Sequence, residues 1–288
     1  MMAHYRNHYG SLGEFLAAAS RPAISTAKSS KREGREEEEF SGSRNFEQAM
    51  DLAVKGWPEG RKNIMAALAT AQASMSFTPT LTMDVAGAYP IAALAAAGDP
   101  CSMVDLAPVE ERVRPIVRLV VQRAGSAAYN VNEFTNYGAA VLSYVEGLEA
   151  CGFRCEITVA FVSDLQSDGD QITTVVVKRA EETMEFDRMA FVMTHPAFFR
   201  RLQFSVMEST EGLASVLNSH GYGYSRNPKA SEFDHDQLLV PGVNMVKPGS
   251  EHLKTVKACL AHVGPMIEAQ LKQAGIDPPA QAFGGVSK

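Results

Sequence analysis

The chain has one tryptophan and four cysteines in 288 residues. Four scattered thiols are too few for a disulfide framework, which excludes the cysteine-stapled secreted domains. Cys151 and Cys155 are close in sequence, but Cys101 and Cys259 do not join them in a metal-ligand spacing, so all four are expected as buried free thiols. No apolar run reaches the roughly 18 residues that a helix needs to cross a bilayer. The opening MMAHYRNHYG has neither the basic head nor the apolar body of a secretion signal. The reading is a cytoplasmic protein with no membrane partner. There is no Gly-x4-Gly-Lys-Ser/Thr phosphate loop, no Gly-x-Gly-x-x-Gly between strand and helix, and no Gly-x-Ser-x-Gly elbow. Seven histidines are scattered. Asp234-His235-Asp236 is their one tight cluster with carboxylates, and without a third group it reads as a solvated turn rather than a metal or catalytic site. The expectation is a protein that is not an enzyme and holds no cofactor or metal. A net charge of −6 disfavours coating duplex DNA by bulk charge but leaves room for a local basic groove.

What is present is organised around residues 112–179. Residues 113–121 are β-branched and apolar, with arginines interspersed. Residues 131–151 carry Phe134, Val141, Leu142, Val145 and Leu148 at helical spacing, with Asn130 or Asn132 as cap and Gly152 at the end. Residues 153–162 and 172–177 follow as strands joined through Ser167-Asp168-Gly169-Asp170. The first two strands should be parallel across a helical crossover and the third should return antiparallel. The fold class is mixed α/β (α+β): a small mixed sheet built on this β-α-β-β unit and packed by several helices. Its order is similar to that of von Willebrand-type metal-binding modules, but the Asp-x-Ser-x-Ser of their magnesium site is missing.

Three parts are expected along the chain. Residues 1–43 read as a flexible N-terminal tail, because 28–39 is a basic run followed by an acidic one with nothing apolar to bury. The sharper reading of this tail is an arm that docks on a partner or a neighbouring subunit, which leaves a homo-oligomer open. Residues 44–275 form a single α/β domain. It begins with a helix capped by Ser43 and lined by Phe46, Met50 and Val54, and Trp57 plugs the corner before a second helix over 61–76. Arg61 and Lys62 at the start of that helix oppose its dipole, which an anion would relieve. Residues 186–193 are helical, Thr194 or His195 caps another helix with Pro196 at its start, 212–226 is loop-rich, 238–245 is a short strand or extended loop, and Ser250 starts the last helix. Residues 276–288 are a flexible C-terminal tail.

The recurring chemistry is arginine beside aromatic rings. Arg112, Arg114 and Arg118 share one face of the first central strand. Arg123, Tyr129 and Tyr137 follow it, and Arg200, Arg201, Tyr222, Tyr224, Arg226 and Lys229 repeat the mixture. Cations that track phosphates and rings that stack on unpaired bases are what a single-stranded nucleic-acid groove needs. The plainer reading is that Arg118 pairs with Glu156, Phe198 and Phe199 are core, and Tyr222 and Tyr224 pack a glycine loop.

The segments FEQAMDLAVKGWPEGR, DVAGAYP, RPIVRLVV, GAAVLSYVEGLEACGFRCEI, DRMAFVMTHPAFFRRLQFSVME, GYGYSR and LLVPGVN together resemble an uncharacterised bacteriophage protein family. They cover most of residues 44–264, and the most specific are the Gly-Trp-Pro-Glu-Gly-Arg corner and the His-Pro-Ala-Phe-Phe-Arg-Arg-Leu helix. In size and build the chain also resembles the early single-stranded-DNA-binding cofactors of RNA polymerase made by lytic podoviruses. That resemblance implies a fold unlike the five-stranded OB barrel. It also implies binding to melted promoter DNA and recruitment of the phage RNA polymerase in the infected host. It transfers no binding residue. The alternative function is a structural or adaptor phage protein acting through protein–protein contacts.

Overall fold

In a computed structural model, residues 3–62, 64–65, 81–86, 89–106 and 116–276 are described. The central unit forms as its periodicity requires. Strand β5 (Ile116–Gln122) leads into a helix over Val131–Ala150, then β6 (Arg154–Asp164) and β7 (Gly169–Lys178). β5 and β6 are parallel, and β6 and β7 are antiparallel. The Asn130 side chain accepts the Glu133 N–H while Glu133 returns a bond to the Asn130 N–H, a capping box that fixes where the helix begins. Gly138 lies on the face turned to the helix over Phe186–Thr194, where a Cβ would strike the Met193 carbonyl oxygen. Only glycine lets the two backbones approach that closely.

The remaining elements, numbered in chain order, extend this unit. They are β1 (Ala3–Tyr9), α1 (Leu12–Ala19), α2 (Arg35–Ser41), α3 (Phe46–Lys55), β2 (Leu81–Asp84), β3 (Tyr89–Pro90), α4 (Ala92–Ala96) and β4 (Met103–Leu106). The crossover helix is α5 and Phe186–Thr194 is α6. A π-helix over Phe198–Gln203 runs into α7 (Phe204–Ser209), and then come α8 (Leu213–His220), β8 (Tyr224–Ser225), β9 (Gln237–Val240) and α9 (Val256–Gln273). The main sheet has the order β1-β7-β6-β5-β9 with β8 beside β6, while β2, β4 and β3 make a separate small sheet. The fold is mixed α/β, with parallel and antiparallel strands packed by helices.

Alternation along the strands divides the apolar residues between two faces. Val117, Leu119, Val121, Ile157, Val159 and Phe161 join the large core with the helices. Val120, Ala160, Val162 and Ile172 point the other way, against Phe233 and Leu239. Among the described residues, loop 226–236 lies over part of that second face.

The N-terminal segment is a correction. Residues 3–43 are part of the fold, not a tail. β1 pairs with β7 in parallel along its whole length, and Phe15, Leu16, Ala18 and Ala19 of α1 are in the core. Even the charged run is anchored, because Ser30, Ser41 and Ser43 are buried. Its polar groups bond to buried side chains, so the stretch needs no apolar residues of its own. At the other end, Ile276 packs against the core, and residues 277–288 lie outside the described residues. Three smaller differences concern caps and helices. Asn45, not Ser43, caps α3, the last helix is capped by Thr255 after a turn capped by Ser250, and residues 213–220, in a stretch expected as loop-rich, are helical. The expected helix over 61–76 lies largely outside the described residues, and Arg61 pairs with Asp187 at 3.4 Å. Among the described residues no helix is long and apolar enough to cross a membrane.

Phe15 is fully buried between Tyr9, Phe161 and Phe198. Phe15→Ala is therefore expected to lower the unfolding free energy by about 3–5 kcal/mol in urea titrations. A loss below about 1 kcal/mol would mean that this segment does not belong to the cooperative core.

Candidate functional site

The structure separates the residues that sequence patterning had grouped. Arg112 and Arg114 lie outside the described residues. Arg118 is on the open sheet face, as its strand position requires, but it is bonded to Asp236 and stands 3.7 Å from Glu156. Arg123 is buried, with Nε donating to the Val192 carbonyl at 3.3 Å and the guanidinium 5.6 Å from the Phe134 ring. Burial pulls its pKa down to about 10, with Arg200 adding to the effect and Tyr137 opposing it. Tyr129 and Tyr137 are buried and donate to the carbonyls of Val246 (2.6 Å) and Pro241 (2.7 Å). Their rings are not available to bases.

Arg200 and Arg201 are the largest departure, being 2% and 0% exposed. Arg200 donates to the carbonyls of Phe40 (2.6 Å), Ser126 (2.8 Å) and Tyr129 (3.0 Å), and lies against the rings of Phe40 and Phe134. Arg201 donates to Ser41 Oγ (3.0 Å) and to the carbonyls of Ser30 (3.1 Å), Ser43 (3.0 Å) and Arg32. Every residue from Ala197 to Glu208 is buried, so the π-helix and the α-helix that continues it are enclosed on all sides, the two arginines included. One sequence signal could have shown it: the pair stands inside AFFRRLQF, an otherwise mainly apolar run.

The last group is also mostly engaged. Tyr222 stacks on Phe204 at 3.8 Å, donates to Glu208 at 2.5 Å and accepts the Ser29 N–H. Arg226 is held by Glu232 (2.5 Å) and Asp170 (2.8 Å). Of the ten described members of the set, Tyr224 and Lys229 keep exposed side chains. No continuous row of guanidinium groups and rings forms from the described members of the set. Asp234-His235-Asp236 is exposed, with Asp236 serving Arg118. Of the cysteines, Cys151, Cys155 and Cys259 are buried as expected, but Cys101 is exposed.

The candidate site that the structure does assemble is a trough of about 660 Å³ on the open sheet face. Thr158, Ile172, Thr174 and Val176 of β6 and β7 make its floor. Arg6, His8 and Arg179 line one side, and Glu156, Glu232, Phe233 and Asp234 the other. At one end Asp170 accepts from Arg6 (2.9 and 3.2 Å), Arg226 (2.8 Å) and His4 (2.7 Å). Burial alone would raise the Asp170 pKa, but the bonds from Arg6, His4 and Arg226 outweigh it and hold the carboxyl well below the usual range. Sequence reasoning missed His4, Arg6 and His8 because they lay in the supposed tail. Their alternation with Tyr5, Asn7 and Tyr9 is the period-2 signal that could have found them. Among the described residues no group of three His, Cys, Asp or Glu is placed to hold a metal ion.

Two predictions concern the buried polar groups. Arg201→Met removes the donors that serve four acceptors, each of which costs about 1–3 kcal/mol when stranded. The expected outcomes are a stability loss of several kcal/mol in urea and faster trypsin cleavage at Arg32 and Arg35, which the wild type should resist. His195, packed edge-on against Trp57 at 4.6 Å, accepts the Ala197 N–H through Nδ1. Burial, with Arg123 adding to it and a bond to the Gly42 backbone opposing, lowers its pKa to about 4. The unfolded chain therefore takes up this proton first. The neutral-histidine contribution is complete above about pH 6.5 and falls by up to about 3 kcal/mol as the pH drops towards 4. Urea titrations from pH 7 to 4.5 should show this slope, and His195→Gln should remove that part of it.

One comparison with known proteins returns a match. No curated protein and no solved structure matches the chain. A family model described as a domain of unknown function, DUF7192, matches residues 2–276, including the N-terminal strand and helices. The chain belongs to the DUF7192 family.

Proposed function

We propose that this protein is an adaptor that acts through protein–protein contacts made over the open face of its main sheet. One observation carries the reading: the described cations expected to meet phosphates are largely committed inside the molecule. Arg123, Arg200 and Arg201 are buried against carbonyls and rings, and Arg118 and Arg226 are held by carboxylates. The open face keeps cations and carboxylates in near balance around its trough, which suits a mixed-charge protein surface better than a polyanion. Family membership assigns no activity. The bacteriophage resemblance supplies the setting of the proposal, the cytoplasm of an infected bacterium, with the phage RNA polymerase as the partner it implies.

The single-stranded-DNA reading supplies the opposing test. A labelled oligonucleotide and its duplex, titrated at two salt concentrations, are expected to show no saturable binding to the wild type. Tight binding to the single strand, with a log–log salt slope of about −0.7 per phosphate contacted, would overturn the adaptor reading. On the positive side, the tagged wild type should retain a phage polymerase subunit from infected cells. A variant carrying Arg179→Glu and Glu156→Lys, which inverts both sides of the trough, should lose it.

A further inference from the structure

The two outer edges of the main sheet are treated differently. Beyond β9 the Gln270 side chain of α9 occupies the backbone of Leu239, accepting its N–H at 2.7 Å and donating to its carbonyl at 2.6 Å. This amide takes the place of a further strand and blocks that edge. β1, at the other end, pairs with β7 alone among the described residues. It has seven residues, an unbroken register and no proline. Long unpaired edges invite strand addition, and proteins usually blunt them with bulges, prolines or covering segments. β1 has no bulge or proline, and it is held firmly from behind. The Tyr5 hydroxyl donates to the Gly212 carbonyl at 3.4 Å, and Arg179 donates to the Gly10 carbonyl at 2.9 Å.

β1 itself carries no carboxylate. His4, Arg6 and His8 project from alternate positions onto the open face, and Arg179 lines the trough beside them. The carboxylate among them, Asp170, is already shared between His4, Arg6 and Arg226. A strand laid along β1 would put every second side chain above this row. Opposite charges facing each other across neighbouring strands stabilise the pair, and like charges do the reverse.

We infer that β1 is a docking edge that takes an extended acidic peptide segment as an added strand, with carboxylates at alternate positions over Arg6 and its neighbours. This rests on the adaptor reading and gives its partner a chemistry: main-chain bonds supply affinity and the alternate side chains supply selection. Two copies meeting antiparallel at this edge would bring Arg6 of each strand to the same seam with no carboxylate from either strand, so the chain itself is the poorer occupant.

The test uses the full chain and a fluorescein-labelled, end-blocked heptapeptide of alternating glutamate and threonine, read by anisotropy. The peptide should bind, and its lysine–threonine counterpart should bind at least about tenfold more weakly. Alternate N–H groups of a strand point to opposite sides. N-methylation of one alternate set should therefore abolish binding, and methylation of the other set should leave it intact. Arg6→Gln should weaken binding by about two- to fivefold, the size of one cross-strand charge pair. No binding of the glutamate peptide, or an equal response to both methylation patterns, would overturn the docking edge. If the peptide arm failed in this way while the wild type still retained its partner and the trough variant did not, the edge would be rejected and the adaptor reading kept.

Discussion

The irregular parts of this fold depend on two adjacent buried guanidinium groups. An arginine cannot shed its proton, so burying one away from carboxylates demands another source of acceptors. Arg200 and Arg201 find theirs mainly in backbone carbonyls of segments far away in sequence: 30–43 for one, 40 and 126–129 for the other. These carbonyls belong to turns and helix ends that would otherwise need water or caps. Buried Glu208 has the reciprocal role, accepting from Ser30 and Tyr222. A charged, apolar-poor stretch is thereby built into the interior of the fold.

Folding in that stretch also brings β1 and α1 into place. α1 covers the end of the core near Phe161 and Phe198, and β1 completes the sheet beyond β7. The result is a sheet with helices on one face and a partly covered polar trough on the other. One edge is closed by a glutamine, and among the described residues no strand pairs with the other. At the surface of this trough Arg6 and Arg226 are matched by Asp170 and Glu232, whereas the arginines of the core are matched by carbonyls. Both arrangements use up positive charge that a count along the sequence treats as available.

Local periodicity accounts for what was legible in the sequence. The β-α-β-β unit follows from β-branched runs on either side of a helically spaced one, the Asn130 cap from an asparagine three residues before Glu133, and the turn into β7 from Ser167-Asp168-Gly169. The pairing of Arg118 with Glu156 was also legible, because a parallel register sets those two positions side by side. All of these depend on residues a few positions apart or on one strand pair.

The sequence by itself determined the α/β class, the central unit and which residues share a strand face. Tertiary structure decided which of those faces meets water, whether residues 3–43 fold, and where the arginines point. The reason is physical. A period of two assigns residues to the same side without saying what lies there, and a charged side chain inside an apolar run reads alike whether its partners are water or distant carbonyls. The Arg200–Arg201 pair lies buried against carbonyls 71 to 171 residues away in the chain, and no local pattern encodes that meeting.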